Sequence, residues 1–208
     1  MSTHYYAFGS ICRGEIDRSS DVDLLACTSD RQQAIDPQKF SIYTYDRLKD
    51  LWREGNPFAW HLHFESALIF SSDGTDFIKN LGSPSKYKNA GKDCVKFKTL
   101  FEESAEALTS SSNSEIFHLS CLFLAIRNFS TCYSFLIGRP VFSRNSPMLI
   151  KPALPIKKEQ FEIFARARIL STRGYGDKLS QCDILTAKQC LDDIHSWMES
   201  FDVRDQYE

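Results

Sequence analysis

The spacing of apolar residues changes once along this 208-residue chain, and the change constrains the fold more than any other feature. Before Gly82 the apolar runs are short, rich in β-branched and aromatic residues, and separated by turn residues, which is typical of strands. After Ser85 apolar residues recur every three or four positions, which is typical of amphipathic helices. The sequence therefore predicts an α+β protein, with a small mixed-sheet domain over residues 1–84 and an all-α helical bundle over residues 85–208.

Four strands and one helix are predicted in the first domain. The predicted strands cover residues 5–8, 22–27, 40–45 and 60–70. The predicted helix covers residues 45–54, because Leu48, Leu51 and Trp52 have helical spacing. The turn sequence Gly55-Asn56-Pro57 is interpreted as its stop signal.

Four helices are predicted in the second domain. Three of them cover residues 90–108, 115–137 and 159–170, and the fourth follows a capping box formed by Thr186 and Gln189. Residues 115–137 are apolar on almost every side, which is typical of a helix at the centre of a bundle. Four of the seven prolines lie in residues 139–156, which we expect to form an irregular connector.

Composition excludes several classes of protein. The chain is 42% hydrophobic and 25% charged, values that are typical of globular proteins and not of disordered chains, collagens or coiled coils. Its net charge of −2 argues against a dedicated duplex binder. No apolar run reaches the ~18 residues that span a bilayer, so no membrane association is expected. The N-terminus lacks the pattern of a secretion signal.

The cysteines indicate a compartment. Seven of them are scattered along the chain, and none forms a C-x-x-C pair. Reduced thiols in a cytoplasmic protein are the simplest interpretation, and no structural zinc site is expected.

Two aspartates are the clearest indication of a chemical function in the sequence. Asp21 and Asp23 are two positions apart on a predicted strand, so both side chains project from one face, while Val22 and Leu24 point to the core. Two neighbouring carboxylates repel each other unless they share a cation. Mg²⁺ prefers a few carboxylates together with substrate phosphate oxygens. The pair therefore predicts a magnesium site.

A glycine-serine turn follows the first predicted strand. Gly9 lets the backbone approach a ligand closely, and we expect Gly9-Ser10 to open a helix whose N–H groups favour phosphate. The Ser10 hydroxyl can add a hydrogen bond to the same phosphate. Separately, Gly9-Ser10 could be an ordinary turn and the aspartates solvated carboxylates. Their occurrence together favours a nucleoside-triphosphate site.

This constellation resembles the nucleotidyltransferase superfamily, whose pattern is an apolar residue, Gly-Ser, a spacer and then Asp-x-Asp. It is most similar to the minimal nucleotidyltransferases and the kanamycin nucleotidyltransferase-like group. The matching positions are Gly9, Ser10, Arg13, Gly14, Ser20, Asp21, Asp23 and Leu24. The resemblance is specific over residues 5–26 and extends to about residue 72.

The resemblance implies Mg²⁺-dependent transfer of a nucleoside monophosphate from a nucleoside triphosphate to a hydroxyl of a protein, an RNA or a small molecule. It implies that Asp21 and Asp23 are the catalytic metal ligands, and that Gly9 and Ser10 hold the β- and γ-phosphates. Arg13 would assist the leaving pyrophosphate, or would form an ordinary salt bridge with Glu15 or Asp17.

The chain departs from the family at the third carboxylate, which active members supply from the next central strand. The segment 40–45 contains no acid, and Ser41 or Tyr43 stands where one is expected. Asp36 precedes this segment and Asp46 follows it. Either Asp46 reaches the site, or a residue of the fourth strand substitutes, or transfer is impaired.

The fourth predicted strand offers His61, His63 and Glu65 on one face. They could form a metal site or supply the missing base. The simpler interpretation is a half-buried strand whose polar residues face outward, because three successive ligands on a straight strand span too far for one ion.

The helical half is similar, more weakly, to the HEPN-type helical domains that accompany these nucleotidyltransferases. Members with ribonuclease activity carry Arg, a polar residue and then His. Here Arg127-Asn128 is present but Tyr133 stands at the expected His position, so no cleavage is expected. A structural ion pair is the favoured role for Arg127. Lys86, Lys88, Lys92, Lys96 and Lys98 are interpreted as a solvated face, or as the border of a cleft that attracts triphosphate or RNA.

A second class of function remains open. The missing third acid favours a catalytically impaired regulator that binds nucleotide or a partner protein through the same cleft, such as a toxin–antitoxin or defence component. The Gly9-Ser10 turn and the two aspartates favour the enzyme. A homo-oligomer is compatible with either function.

Overall fold

The computed structural model describes residues 2–15, 22–29, 35–110 and 113–203. The chain forms two compact units, Met1–Lys88 and Asn89–Glu208. The first combines a mixed four-stranded sheet with helices, and the described part of the second is helical. The architecture is therefore α+β.

Within its described residues, the first unit contains four strands. They are β1 (Thr3–Phe8), β2 (Asp23–Thr28), β3 (Phe40–Thr44) and β4 (Ser66–Ser71). A short 3-10 helix, Gly9–Arg13, follows β1 directly. The α-helices of this unit are α1 (Tyr45–Glu54), α2 (Pro57–Glu65) and α3 (Phe77–Leu81). The predictions of the first three strands and of α1 are confirmed.

The strand order in the sheet is β3-β2-β1-β4. β1 is antiparallel to both β2 and β4, whereas β2 and β3 are parallel. Phe8 pairs with Asp23 on one side and with Ser66 on the other. The end of β1, the start of β2 and the start of β4 therefore meet at one end of the sheet, which we call the Gly9 end.

One face of the sheet packs on the helices. In β1 every second residue is buried, as expected for a strand with one covered face. The core of this unit consists of Tyr6, Phe8, Leu25, Cys27, Leu48, Leu51, Trp52, Ala59, Leu62 and Ile78. The indole N–H of Trp52 donates to the carbonyl oxygen of Gly82 at 2.9 Å, which satisfies the polar atom of this buried ring.

The prediction of a strand over residues 60–70 is wrong for its first half. Asn56 caps α2, because its side-chain oxygen accepts a hydrogen bond from the N–H of Phe58 at 2.9 Å, and Pro57 occupies the first turn. Gly55, with a positive φ, ends the first helix, and the Asn-Pro pair starts the second. The apolar–polar alternation imitated a strand, but Ala59 and Leu62, three positions apart, are the buried residues.

The second unit contains six α-helices within its described residues. They are α4 (Ala90–Ser110), α5 (Glu115–Leu136), α6 (Ser146–Leu149), α7 (Lys158–Arg173), α8 (Gln181–Gln189) and α9 (Leu191–Glu199). α5 supplies the largest set of buried residues, so the prediction of a central helix is confirmed. The segment 139–156 is irregular except for the single turn of α6.

α5 is long and apolar enough to span a membrane by length and composition, with a mean hydropathy of 1.2 over its most apolar window. Of that window, 61% is buried within the protein. Core helices of globular proteins have the same composition, so this feature is weak support for a membrane span.

The prediction of a capping box at Thr186 is also wrong. The box is formed six residues earlier, where the Ser180 hydroxyl accepts the Asp183 N–H at 3.1 Å and Asp183 accepts the Ser180 N–H at 2.8 Å. Thr186 and Gln189 lie inside α8. Both pairs fit the capping pattern, and burial of Ile184 in the first turn of α8 favours the earlier start.

Candidate functional site

The candidate site begins where β1 ends. The chain turns at Gly9, whose φ of 78° lies in the left-handed region that favours glycine. The 3-10 helix that follows is closed by Gly14, whose N–H donates to the Ile11 carbonyl oxygen at 3.2 Å. Ser10 is half-buried in this turn. The predicted helix after Gly9 is thus a single short 3-10 segment.

Asp23 lies directly against this turn. A Cβ atom added to Gly9 would be 2.8 Å from the Asp23 carboxylate oxygen Oδ2, closer than real Cβ contacts allow. Asp23 is exposed and begins β2, beside Phe8. The structure therefore brings two of the predicted site residues together. Asp21, the other predicted metal ligand, lies outside the described residues, as does Ser20.

α2 contributes a histidine and a carboxylate to the Gly9 end of the sheet, at the corner formed by Gly9 and Asp23. His61 and Glu65 are one helical turn apart, and the His61 Nε2 atom is 2.9 Å from Glu65 Oε2. The His61 Cε1 atom would be 3.8 Å from a Cβ at Gly9. Packing of the His61 ring edge-on against Phe8, with 5.8 Å between centroids, fixes the imidazole.

His63 does not belong to this group. Its Nε2 atom is 3.4 Å from the Ser83 hydroxyl, and its ring contacts Trp60. The expectation of three ligands on one strand face is wrong, because this segment is a helix. Successive residues of a helix are rotated by about 100°, so His63, two positions from both His61 and Glu65, projects from another side of α2.

Arg13 is held by two carboxylates. Its Nε donates to Glu15 Oε2 at 2.9 Å, and its Nη1 contacts Glu65 Oε2. Its side chain is 19% exposed and that of Glu65 is 13% exposed. The guanidinium thus positions Glu65, and a pyrophosphate would have to compete with both acids. Of the two roles predicted for Arg13, the salt bridge with Glu15 is present.

Cys12 lies beside the same carboxylate. Burial and the negative charge of Glu65 raise the pKa of the Cys12 thiol, so the thiol is protonated at neutral pH. The thiolate that a cysteine nucleophile or metal ligand needs is therefore disfavoured.

The candidates for a third acid lie in three different places. Asp46 is in the first turn of α1, with a 90% exposed side chain 3.3 Å from Lys49. Since β2 and β3 run parallel, Asp46 follows the far end of β3, more than about 17 Å along the sheet from Asp23. Asp46 is thereby excluded from the Gly9 end. Tyr43 packs on the Phe58 ring.

Asp36 and Glu65 are the remaining candidates among the described residues. Asp36 precedes β3 at the correct end of the sheet, but its carbonyl and carboxylate oxygens accept the N–H groups of its own loop. Glu65 immediately precedes Ser66, which shares a row with Phe8 and Asp23. Glu65 is therefore the acid that the fold holds most firmly at this corner.

A second polar cluster occupies the opposite end of the sheet, and the sequence analysis missed it. His4, Tyr45, Asp73 and Thr75 line a cavity of about 380 Å³ there. Their positions span 72 residues of sequence, so no local motif could indicate the cluster.

In the second unit, Arg127 donates to the Asn128 side chain at 2.9 Å and to the Phe142 carbonyl oxygen at 2.8 Å. The Asn128 amide and the Phe142 carbonyl oxygen therefore both hold the guanidinium. Tyr133 packs edge-on against Phe201. Of the five lysines, Lys98 pairs with Glu199 and the other four are exposed.

One group of potential metal ligands converges in the part of the chain that the structure describes. Glu102, His195 and Glu199 place one ligand atom each within 4.8 Å of one another. All three side chains are exposed, and the group lies on α4 and α9 rather than at the Gly9 end.

No protein-family model matches the chain, and no curated protein is significantly similar to it. The nucleotidyltransferase resemblance therefore depends on the sequence motif alone.

Proposed function

We propose that the chain is a Mg²⁺-dependent nucleotidyltransferase that moves a nucleoside monophosphate from a nucleoside triphosphate to a hydroxyl acceptor. The observation that carries this proposal is the contact between Asp23 and Gly9. Because Gly9 has no side chain, the Asp23 carboxylate can lie against its backbone, with Oδ2 2.8 Å from where a Cβ would stand. This pairing of a glycine turn with a carboxylate suits the binding of metal and phosphate together.

The donor set fits Mg²⁺. Asp23 would hold the ion with hard carboxylate oxygens, and Asp21 is the second ligand expected from the sequence. When bound, Mg²⁺ would neutralise the triphosphate and stabilise the attacking and leaving oxygens. The Gly9-Ser10 backbone and the Ser10 hydroxyl would hold the phosphate chain.

His61 is the group at the corner that can accept the proton of the acceptor hydroxyl. Glu65 lies 2.9 Å from its Nε2 atom and orients the ring, while Arg13 holds Glu65. In this arrangement a histidine–glutamate pair supplies what a third carboxylate supplies in the family. Attack of the acceptor oxygen on the α-phosphorus then releases pyrophosphate.

A specific observation also favours the alternative function, a catalytically impaired regulator that binds nucleotide or a partner. Glu65 is engaged by both Arg13 and His61, and β3 carries no acid. A site with a metal carboxylate and no effective base would bind a triphosphate without turning it over.

Incubation with Mg²⁺ and each α-³²P-labelled nucleoside triphosphate tests the proposal. Wild-type protein should transfer label to protein, RNA or a small acceptor, and Asp23→Asn should abolish the transfer. Asp50→Asn is the matched control, since Asp50 is an aspartate on α1 that pairs with Arg53. Metal-dependent nucleotide binding without transfer would support the regulator. Absence of both binding and transfer would refute the nucleotide site.

A further inference from the structure

A relay of three side chains lines the cavity at the end of the sheet opposite Gly9. His4 is 2% exposed, and its Nδ1 atom is 2.7 Å from the Tyr45 hydroxyl. Its Nε2 atom is 3.3 Å from Asp73 Oδ1 and 3.3 Å from the Thr75 hydroxyl. A hydroxyl, an imidazole and a carboxylate thus follow one another within hydrogen-bond reach.

Hydrogen bonds keep Asp73 ionised. The hydroxyls of Ser2, Ser71 and Thr75 donate to its carboxylate at 2.6, 2.9 and 2.7 Å, and the Thr75 N–H donates at 2.9 Å. These bonds hold the pKa of Asp73 well below its ordinary value. The carboxylate can therefore only accept hydrogen bonds.

The negative charge of Asp73 determines which atoms of His4 and Tyr45 carry hydrogen. Because Asp73 only accepts, Nε2 of His4 carries the hydrogen in the neutral imidazole. Nδ1 then presents a lone pair, and the Tyr45 hydroxyl, 2.7 Å away, donates to it. The Tyr45 hydroxyl also lies 3.3 Å from the Ser2 hydroxyl, to which it can donate instead. Burial raises the pKa of Tyr45, so the phenol stays protonated and its attack requires His4, which Asp73 orients, to take the proton.

We propose that Tyr45 is a nucleophile that accepts acyl groups from small esters or thioesters bound in this cavity. The phenolic oxygen attacks the carbonyl carbon, and its proton moves to His4 Nδ1. The bond to the leaving alcohol or thiol breaks, and the leaving group takes that proton. Water then hydrolyses the aryl ester, which releases the carboxylic acid and restores the phenol.

The cavity suits this chemistry. Its volume of about 380 Å³ lies within the range of small-molecule sites. Lys49 and Asp46, which form an ion pair, both line the cavity, and Lys49 would have to leave Asp46 to contact the developing oxyanion. The relay shares no residue with the corner at Gly9, so its activity does not depend on the proposed nucleotidyl transfer.

Acetylation by 4-nitrophenyl acetate tests this proposal on the full chain. The exposed thiols of Cys12 and Cys182 are first blocked with iodoacetamide. We expect a burst of nitrophenolate and an acetyl group on Tyr45 in peptide mass spectrometry. General-base catalysis should acetylate Tyr45 at least ~100-fold faster than Tyr175, which is 61% exposed.

Variants separate the relay from simple accessibility. Tyr45→Phe should lose the burst, whereas Tyr43→Phe, which removes a phenol two residues away, should retain it. His4→Gln should slow acetylation of Tyr45 without changing that of Tyr175. If the His4 variant fails to fold, the ratio of the acetylation rates of Tyr45 and Tyr175 in the wild-type protein tests the proposal instead. Equal acetylation of the two tyrosines, or a burst that survives Tyr45→Phe, would overturn the proposal.

Discussion

The two ends of the four-stranded sheet differ in how their polar groups are arranged. At the Gly9 end, an exposed carboxylate, Asp23, packs against a glycine that no other residue can replace without a collision. At the opposite end, His4 is almost fully buried, and it is joined by hydrogen bonds to Tyr45, Asp73 and Thr75. The Gly9 end combines the exposed Asp23 with the mostly buried group of Arg13, Glu65 and His61. The opposite end buries His4 beside the half-exposed Asp73.

The difference separates two ways of holding a reactive group. An exposed carboxylate contributes little to folding, so the position of Asp23 is set by the strand and by the space at Gly9. A buried histidine costs free energy unless both ring nitrogens are paired, so the His4 network must stabilise the fold as well as orient its groups. Substitutions at the Gly9 end should therefore affect activity, and those at the His4 end should also affect stability.

Among the variants that compare the two ends of the sheet, Gly9→Ala has the largest expected effect. The new Cβ would displace the Asp23 carboxylate, and a misplacement of this size can lower catalysis by ~100-fold. Label transfer from α-³²P nucleotides measures the loss. Gly14→Ala is the matched control, since Gly14 has a similar φ of 70° and a Cβ there meets nothing within 4 Å.

Both glycine variants should lose about 1–2 kcal/mol of unfolding free energy in urea, because alanine is strained at positive φ. Only Gly9→Ala should lose transfer. An equal loss of activity in the two variants would assign the effect to backbone strain instead of to Asp23.

Tyr6→Phe tests how strongly buried hydrogen bonds stabilise the first unit. The Tyr6 hydroxyl donates to Asp76 Oδ1 at 3.0 Å and accepts the Ile78 N–H at 3.1 Å. Loss of the hydroxyl should leave both groups without this partner and lower the unfolding free energy by about 2 kcal/mol. Tyr5→Phe is the control, since its half-buried ring keeps its packing on Phe40 and Phe70. Equal urea midpoints for the two variants would contradict the expectation.

A pair of histidine variants sharpens the description of the corner. His61→Asn should lower label transfer at least ~10-fold, because it removes the base held by Glu65. His63→Asn, on another side of the same helix, should lower it less than ~2-fold. If the two variants lose activity equally, the effect belongs to α2 as a whole and not to a proton acceptor at position 61.

The smallest effect concerns the pH dependence of stability at the His4 end. The pKa of Asp73 is lowered in the folded protein by hydrogen bonds from Ser2, Thr75 and Ser71, in that order of effect. Its stabilising effect is therefore present above the ordinary carboxyl pKa and is lost as the pH falls through the lowered pKa. The difference in unfolding free energy between wild type and Asp73→Asn should narrow as the solution is acidified. A difference that stays constant into strong acid would contradict this assignment.

Much of the fold could be predicted because its signals are local. The strands β1, β2 and β3 follow from short apolar runs bounded by turn residues, and α1 follows from Leu48, Leu51 and Trp52. α4, α5 and α7 follow from apolar residues at steps of three and four. These patterns depend only on which residues in one segment share a face.

Part of the site could be predicted for the same reason. Gly9 and Asp23 are fourteen residues apart and lie at the same end of two adjacent antiparallel strands, so a motif can encode their contact. The sequence predicts His61 and Glu65 as polar residues of a strand, and this geometry is wrong because the segment is helical. The hydrogen bond from the Phe58 N–H to Asn56 caps the segment as a helix. In a helix His61 and Glu65 lie one turn apart and contact each other, whereas His63 lies on another side.

The sequence by itself determined the periodicities, the two regions they define, and the pairing of a glycine turn with an acid at Asp23. Only the tertiary structure decided that Glu65 reaches this corner, that Asp46 lies at the far end, and that His4 joins Tyr45 to Asp73. The physical reason is the range of each interaction. Side-chain periodicity and capping act over a few residues, whereas strand order and register bring together groups about 40 to 70 positions apart, and no local pattern records them.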